Sequence, residues 1–160
     1  MSGTRIAEPV FDEAGLALPV LPIDDYQLIM GTVACYGRMY DDDRIDDFMS
    51  LIAPDALFRP NWPGVAPDTV EGADNLRPFF TEARAACHSQ NMQPRHYTTN
   101  VVITSYDGET AGVSANMLYT EFTEEGGAQL KMVGQYDFRL RKDEGRWRIA
   151  EWSMRYDKAA

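Results

Sequence analysis

Pro94-Arg95-His96-Tyr97-Thr98-Thr99-Asn100-Val101-Val102-Ile103-Thr104 is the stretch on which the reading of this chain turns. Its second half is apolar and β-branched, so the segment is expected to be a strand that starts near His96. Alternation along it puts His96, Thr98, Asn100 and Val102 on one face. His96 is one of only two histidines in 160 residues, and an imidazole at the head of such a face is placed to move a proton near neutral pH. A histidine hydrogen-bonded at a strand end for purely structural reasons would read the same from these residues alone.

C-terminal to this stretch the chain is a strand meander. Thr110 to Phe122 alternates, and Glu124-Glu125-Gly126-Gly127 is a turn. Gln129 to Arg141 is a long strand, Lys142-Asp143-Glu144-Gly145 a hairpin turn with the expected glycine, and Trp147 to Tyr156 the last strand. N-terminal to His96 the chain is mainly helical. Asp24-Asp25 starts a helix whose apolar stripe is Ile29, Val33, Tyr36 and Tyr40, with acids suited to its positive end. A second helix, Arg44 to Ile52, is expected to be capped by Asp42 or Asp43 and stopped by Pro54. A short strand, Ala56 to Arg59, leads into a Pro/Gly-rich loop, Pro60 to Asp68, that carries Trp62. A third helix, Gly72 to His88, turns Leu76, Phe79, Phe80, Ala83 and Cys87 inward, with Pro78 tolerated near its first turn. Helices first and a meander after imply an α+β domain: a curved antiparallel sheet with three N-terminal helices enclosing a pocket. Residues 24–158 form that domain. Residues 1–23, with Pro9, Pro19 and Pro22 and no sustained period, read as an extended arm suited to packing on a partner subunit.

Composition narrows the function classes. The net charge is −10, which disfavours nucleic acid and anionic membrane surfaces as partners. No apolar run is long enough to cross a bilayer, no secretory signal is visible, and Cys35 and Cys87 sit among apolar neighbours as reduced core residues would. The expectation is a cytoplasmic protein. No residues have metal-ligand spacing and no glycine-rich phosphate loop is present, so independence of metals and cofactors is expected. The aromatic and Met residues assigned to the pocket wall are Tyr36, Trp62, Phe80, Met117, Tyr136, Phe138, Trp152 and Met154, which favours a small apolar or aromatic substrate. Asn100 reads either as a substrate-facing or Asp41-facing amide or as a structural one.

Asp41 comes directly after the stripe tyrosine Tyr40, while Asp42 and Asp43 read as solvent-exposed caps. Should Asp41 meet His96, the carboxylate would fix the tautomer of the imidazole and orient it as a base. His88, at a helix end, suits the helix dipole, and Arg139, Arg141, Arg146 and Arg148 read as solvated charges on a hairpin.

The segment Tyr40-Asp41-Asp42-Asp43-Arg44-Ile45-Asp46-Asp47-Phe48 with Ile52-Ala53-Pro54 resembles the Tyr-Asp helix end of the scytalone dehydratases. Continued through Asp55-Ala56, it is similar to the hexachlorocyclohexane dehydrochlorinases, whose His-Tyr-x-Thr-Asn strand is matched by Arg95 to Asn100. Gly134-x-Tyr136 and Gly145-Arg146-Trp147-Arg148-Ile149 resemble the closing strands of SnoaL-like proteins. The resemblance implies the cone-shaped α+β barrel of the ketosteroid isomerase and nuclear transport factor relatives, and a homodimer or homotrimer. It implies an Asp–His dyad at Asp41 and His96, with the histidine taking a proton from carbon, and a substrate-polarising tyrosine at Tyr40. The chain departs from the dehydratases at Ser114, where they have a second histidine, near Pro60, where they have a second tyrosine, and at Gly134 and Tyr136, where they have Ser and Asn. It departs from the dehydrochlorinases at Tyr36, where they have lysine. The function expected is that of a dehydratase-like lyase or isomerase with its own substrate. A polyketide cyclase or epoxide-opening enzyme of the same fold, or a non-catalytic small-molecule-binding module, are the alternatives.

Overall fold

β-branched and aromatic residues alternating with polar ones make the C-terminal half of this chain into four long strands, and the helices before them supply the cover. The structure, a computed structural model, describes residues 11–12, 15–16, 18–61 and 69–157. In chain order these carry β1 (Phe11–Asp12), β2 (Gly15–Leu16), α1 (Ile23–Asp41), α2 (Ile45–Ser50), β3 (Ile52–Arg59), β4 (Val70–Glu71), α3 (Ala73–Ser89), β5 (Gln93–Tyr106), β6 (Thr110–Thr123), β7 (Gly127–Asp143) and β8 (Arg146–Tyr156). β1 and β2 pair with each other; the other strands form one curved, open sheet in the order β4-β3-β8-β7-β6-β5. The expected α+β architecture is the observed one.

One pairing departs from an all-antiparallel sheet. β3 runs parallel to β8, with Phe58 opposite Trp152, while every other pair in the large sheet is antiparallel. β3 also starts at Ile52, earlier than expected, so Pro54 lies inside a strand rather than after a helix. Its ladder with β8 is irregular between Ile52 and Leu57, which is where a residue without an N–H is tolerated.

The helices differ from expectation in small ways that have clear causes. α2 has Arg44 at its N-cap and no side-chain cap. Asp42 and Asp43 are drawn elsewhere: Asp42 accepts from Arg95 at 2.7 Å, and Asp43 pairs with Arg84 at 3.3 Å and His88 at 3.0 Å. Pro78 is the sixth residue of α3, beyond the first turn, on an exposed position. α1 lies chiefly against β5 and β8, and α3 against β3. The core between helices and sheet contains Ile29 and Val33 of α1, Phe48 of α2, Leu76 of α3, Phe138 and Leu140 of β7, and Ile149 and Trp152 of β8, all fully buried. Among the described residues no helix is long and apolar enough to cross a membrane.

Candidate active site

The C-terminal end of α1 and the start of β5 meet at one residue pair. Asp41, the last residue of α1, is 3% exposed, and both of its carboxylate oxygens are taken by His96. One accepts the backbone N–H of His96 at 2.6 Å; the other lies 2.6 Å from the ring Nδ1. A carboxylate only accepts, so Nδ1 carries the proton and the lone pair of the neutral ring sits on Nε2. Nε2 has no hydrogen-bond partner among the described residues, and the ring lines a cavity. Gln93 ties the same two elements together, donating to the carbonyls of Asp41 at 2.8 Å and Pro94 at 2.9 Å. One residue back on the strand and one past the end of the helix, Arg95 pairs with Asp42 at the surface. Neighbouring aspartates thus serve opposite sides of one strand.

Gly37 makes this approach close. One turn before Asp41, it faces the strand so tightly that a Cβ there would lie 2.9 Å from His96 Cβ and 3.2 Å from the His96 carbonyl oxygen. Tyr40 and Tyr119 complete the surroundings of the imidazole, with ring centroids 5.5 and 4.7 Å from it. Tyr40 is also held by the buried Arg84, whose guanidinium lies 5.5 Å over its ring.

The cavity is about 50 Å³ and is lined by Tyr36, Gly37 and Tyr40 of α1, Phe48 of α2, Phe58 of β3, Phe79, Phe80 and Ala83 of α3, His96 of β5, Tyr136 of β7 and Met154 of β8. Apolar cavities that accept benzene are about 150 Å³, so a ring-sized ligand must displace side chains to enter. The polar side chains on its wall are three phenols and one imidazole. Burial pushes the phenols of Tyr36, Tyr40 and Tyr136 well above the ordinary tyrosine range, so all three remain neutral hydrogen-bond donors. The indole N–H of Trp152 donates to the Tyr36 oxygen at 2.8 Å. The Tyr136 hydroxyl is buried without a partner among the described residues.

Of the residues expected at the site, Tyr36, Tyr40, Phe80, His96, Tyr136 and Met154 come together on the cavity wall, with Asp41 directly behind His96. Met117, Phe138 and Trp152 are fully buried but belong to the core rather than the lining. Asn100 is exposed. The ladder between β5 and β6 slips between Thr99 and Val102, Asn100 takes a left-handed φ of 50°, and its side-chain oxygen accepts from Asn116 at 3.3 Å. Trp62 lies outside the described residues. Gly37, Phe48, Phe58 and Arg84 were not anticipated at the site from sequence. A glycine inside an otherwise apolar helix stripe, four residues before Asp41, was the available signal for a close backbone approach. Among the described residues, no three His, Cys, Asp or Glu side chains gather as a metal-ligand set.

The SnoaL-like domain family matches residues 22–153, nearly the whole span from α1 to β8. The chain belongs to the SnoaL-like family. No curated protein matches this SnoaL-like chain. Among solved structures, a candidate aromatic ring hydroxylase from Novosphingobium aromaticivorans is 26% identical, with a TM-score of 0.73 over 88% of this chain and 94% of that one. An NTF2-like protein with a cystatin-like fold from the same species is 16% identical, with a TM-score of 0.73 over 86% of this chain and 85% of the other. A candidate scytalone dehydratase from N. aromaticivorans DSM 12444 is 17% identical, with a TM-score of 0.68 over 85% of this chain and 86% of its own. The last two establish the shared fold.

Proposed function

We propose that this SnoaL-like protein is a cofactor-independent general acid/base enzyme, a dehydratase-like lyase or isomerase, acting on a small apolar or aromatic molecule. The observation that carries the proposal is the buried carboxylate of Asp41 held by both the backbone and the ring of His96 at the wall of an aromatic cavity. His96 Nε2 takes a proton from a substrate carbon, and Asp41 keeps the ring in the competent tautomer and balances the imidazolium charge. Tyr40, beside the imidazole, donates to an oxygen of the substrate or leaving group. Likeness to a candidate aromatic ring hydroxylase supports an aromatic substrate.

The test is a panel of small cyclic and aromatic ketones carrying a hydroxyl or halide β to the carbonyl. Elimination and solvent deuterium uptake at the α-carbon are monitored by NMR. Activity that His96→Ala lowers by about 10²–10⁴-fold fits the role of a general base. Undiminished turnover in a folded His96→Ala protein would sink it.

The proposal extends to the assembly and setting. Residues 24–158 act as the catalytic domain and 1–23 as an arm. Tyr97, Leu118 and Val133 stand side by side across β5, β6 and β7 with 36–48% of their surface exposed, an apolar row suited to a homodimer or homotrimer contact. Light scattering on wild type and Leu118→Glu reads this directly, since a monomer in both would remove the idea. Two free thiols, Cys35 and Cys87, suit a reducing cytoplasm.

A further inference from the structure

Arg84 is the one charged side chain of α3 that the fold buries, and the hydrogen bonding it finds there is poor. It is 3% exposed. Its Nε reaches Asp43 Oδ1 at 3.3 Å, a long contact to a carboxylate that is half exposed and already lies 3.0 Å from His88. Its Nη1 is buried without a hydrogen-bond partner among the described residues. A guanidinium held in this way costs stability, because the water it gives up is only partly replaced. An uncharged side chain of similar length would avoid that cost. Hydrogen bonding alone therefore gives no reason for an arginine at position 84.

What the buried charge does meet is Tyr40. The guanidinium carbon lies 5.5 Å from the centre of that ring, over its face. Phe48 and Phe80, each at 5.7 Å, and His96 at 5.5 Å enclose the ring further. The ionisable groups acting on the Tyr40 phenol are Arg84 and Cys87 of α3, Asp41 of its own helix and Asp43 just past it. His96 of β5 and Tyr119 of β6 stand alongside. Arg84 is the one permanent cation in that set. Burial pushes the phenol up, the Cys87 thiol and the two carboxylates add to this, and Arg84 works against them. A neutral phenol beside a buried cation shares its proton more readily with an acceptor than the same phenol without one.

We propose that Arg84 is a positioning residue that acts through Tyr40, its buried charge drawing on the phenol so that the hydroxyl becomes a stronger hydrogen-bond donor to the substrate. This rests on the proposed reading of Tyr40 as the donor to a substrate or leaving-group oxygen. It goes beyond that reading by assigning the strength of the donor to a residue of α3 that does not line the cavity.

The experiment places a trifluorinated tyrosine, more acidic than tyrosine itself, at position 40 and follows its ionisation against pH by fluorine NMR. Three backgrounds are compared: the otherwise wild-type chain, Arg84→Met and Asp43→Asn. Both substitutions break the Arg84–Asp43 contact, but they remove opposite charges. Arg84→Met should lower the acid dissociation constant of the phenol about tenfold or more, as loss of an opposite charge at this range does. Asp43→Asn should raise it. A purely structural tie between α3 and the turn after α1 would move both the same way. An unchanged titration in Arg84→Met, or shifts of the same sign in the two variants, overturns the proposal. Position 43 is half exposed, so Asp43→Asn is expected to fold. Should Arg84→Met fail to fold, an Asp43→Asn titration that does not move to lower pH overturns the proposal by itself. The titration needs no turnover, so it stands or falls apart from the lyase reading, which turnover in His96→Ala decides.

Discussion

Gly37 of α1 and His96 of β5 touch where no side chain would fit, a built Cβ on Gly37 falling 2.9 Å from His96 Cβ. The contact is with the strand itself, including the His96 carbonyl oxygen at 3.2 Å, so a flexible group cannot swing aside to relieve it. Gly37→Ala improves helix propensity by about 1 kcal/mol, yet overpacking of this kind costs about 1–3 kcal/mol. The net expectation is a modest loss of stability with a larger loss of function. Moving the imidazole by even ~1 Å can cost about 100-fold in rate. Thermal unfolding together with turnover on any active substrate of the panel checks this. An alanine variant with wild-type values of both would mean that α1 and β5 shift apart freely.

Asp41→Asn keeps the shape of the side chain and changes its chemistry. The amide oxygen can still accept the His96 backbone N–H, but the amide NH2 then faces Nδ1 and donates to it. The ring proton is forced onto Nε2, and the nitrogen at the cavity becomes a donor instead of a base. Turnover should fall by about 10²–10⁴-fold with the fold intact. Nitrogen-detected NMR of the imidazole reads the tautomer directly. Wild-type turnover with a switched tautomer would remove Nε2 from the mechanism.

Much of the site was legible in the sequence because it depends on local rules. His96 lies on an alternating strand, though β5 begins three residues earlier at Gln93, Asp41 ends an apolar helix stripe, and Glu144-Gly145 make the hairpin turn with φ of 51° and 77°. The parts that were not legible depend on pairing between distant segments or on depth. β3 joins β8 in parallel across some ninety residues of chain, and nothing local in Ile52 to Arg59 encodes that partner. Alternation assigned Asn100 to the His96 face, but one irregularity after Thr99 took it out, and Asn is a residue that accepts the left-handed backbone there. Period also names a face without its depth. Phe138 and Trp152 face inward as read, one layer behind Tyr36, while Phe48 and Phe58 reach the cavity.

Phe48 joins the core to the cavity. It is fully buried, and its ring meets Tyr36, Tyr40 and Phe80 at 5.5, 5.7 and 4.8 Å. Phe48→Ala should cost about 3–5 kcal/mol, measured by urea unfolding. The space left adjoins an existing cavity of about 50 Å³, so the variant should gain an apolar site and be stabilised by benzene more than wild type is. Equal benzene effects on both proteins would show that the aromatic wall collapses into the gap.

Asp25 holds the other end of α1, and its effect on stability carries a definite pH sign. Its carboxylate accepts from Tyr106 at 2.6 Å, Trp147 at 2.8 Å and Lys142 at 2.9 Å. Those bonds, the Tyr106 one foremost, lower its pKa to about 2. In the unfolded chain an aspartate titrates near 3.9, as a rough reference. Between these values the unfolded state binds the proton more readily, so stability rises with pH across this window. The contribution is fully present above about pH 4 and is lost as pH falls through about 2. Asp25→Asn should therefore be less stable than wild type at pH 6, with the gap narrowing steadily below pH 4. Urea midpoints for both proteins from pH 6 to pH 2 decide the matter: a gap that stays constant would mean that the three hydrogen bonds stabilise a neutral side chain as well as a charged one.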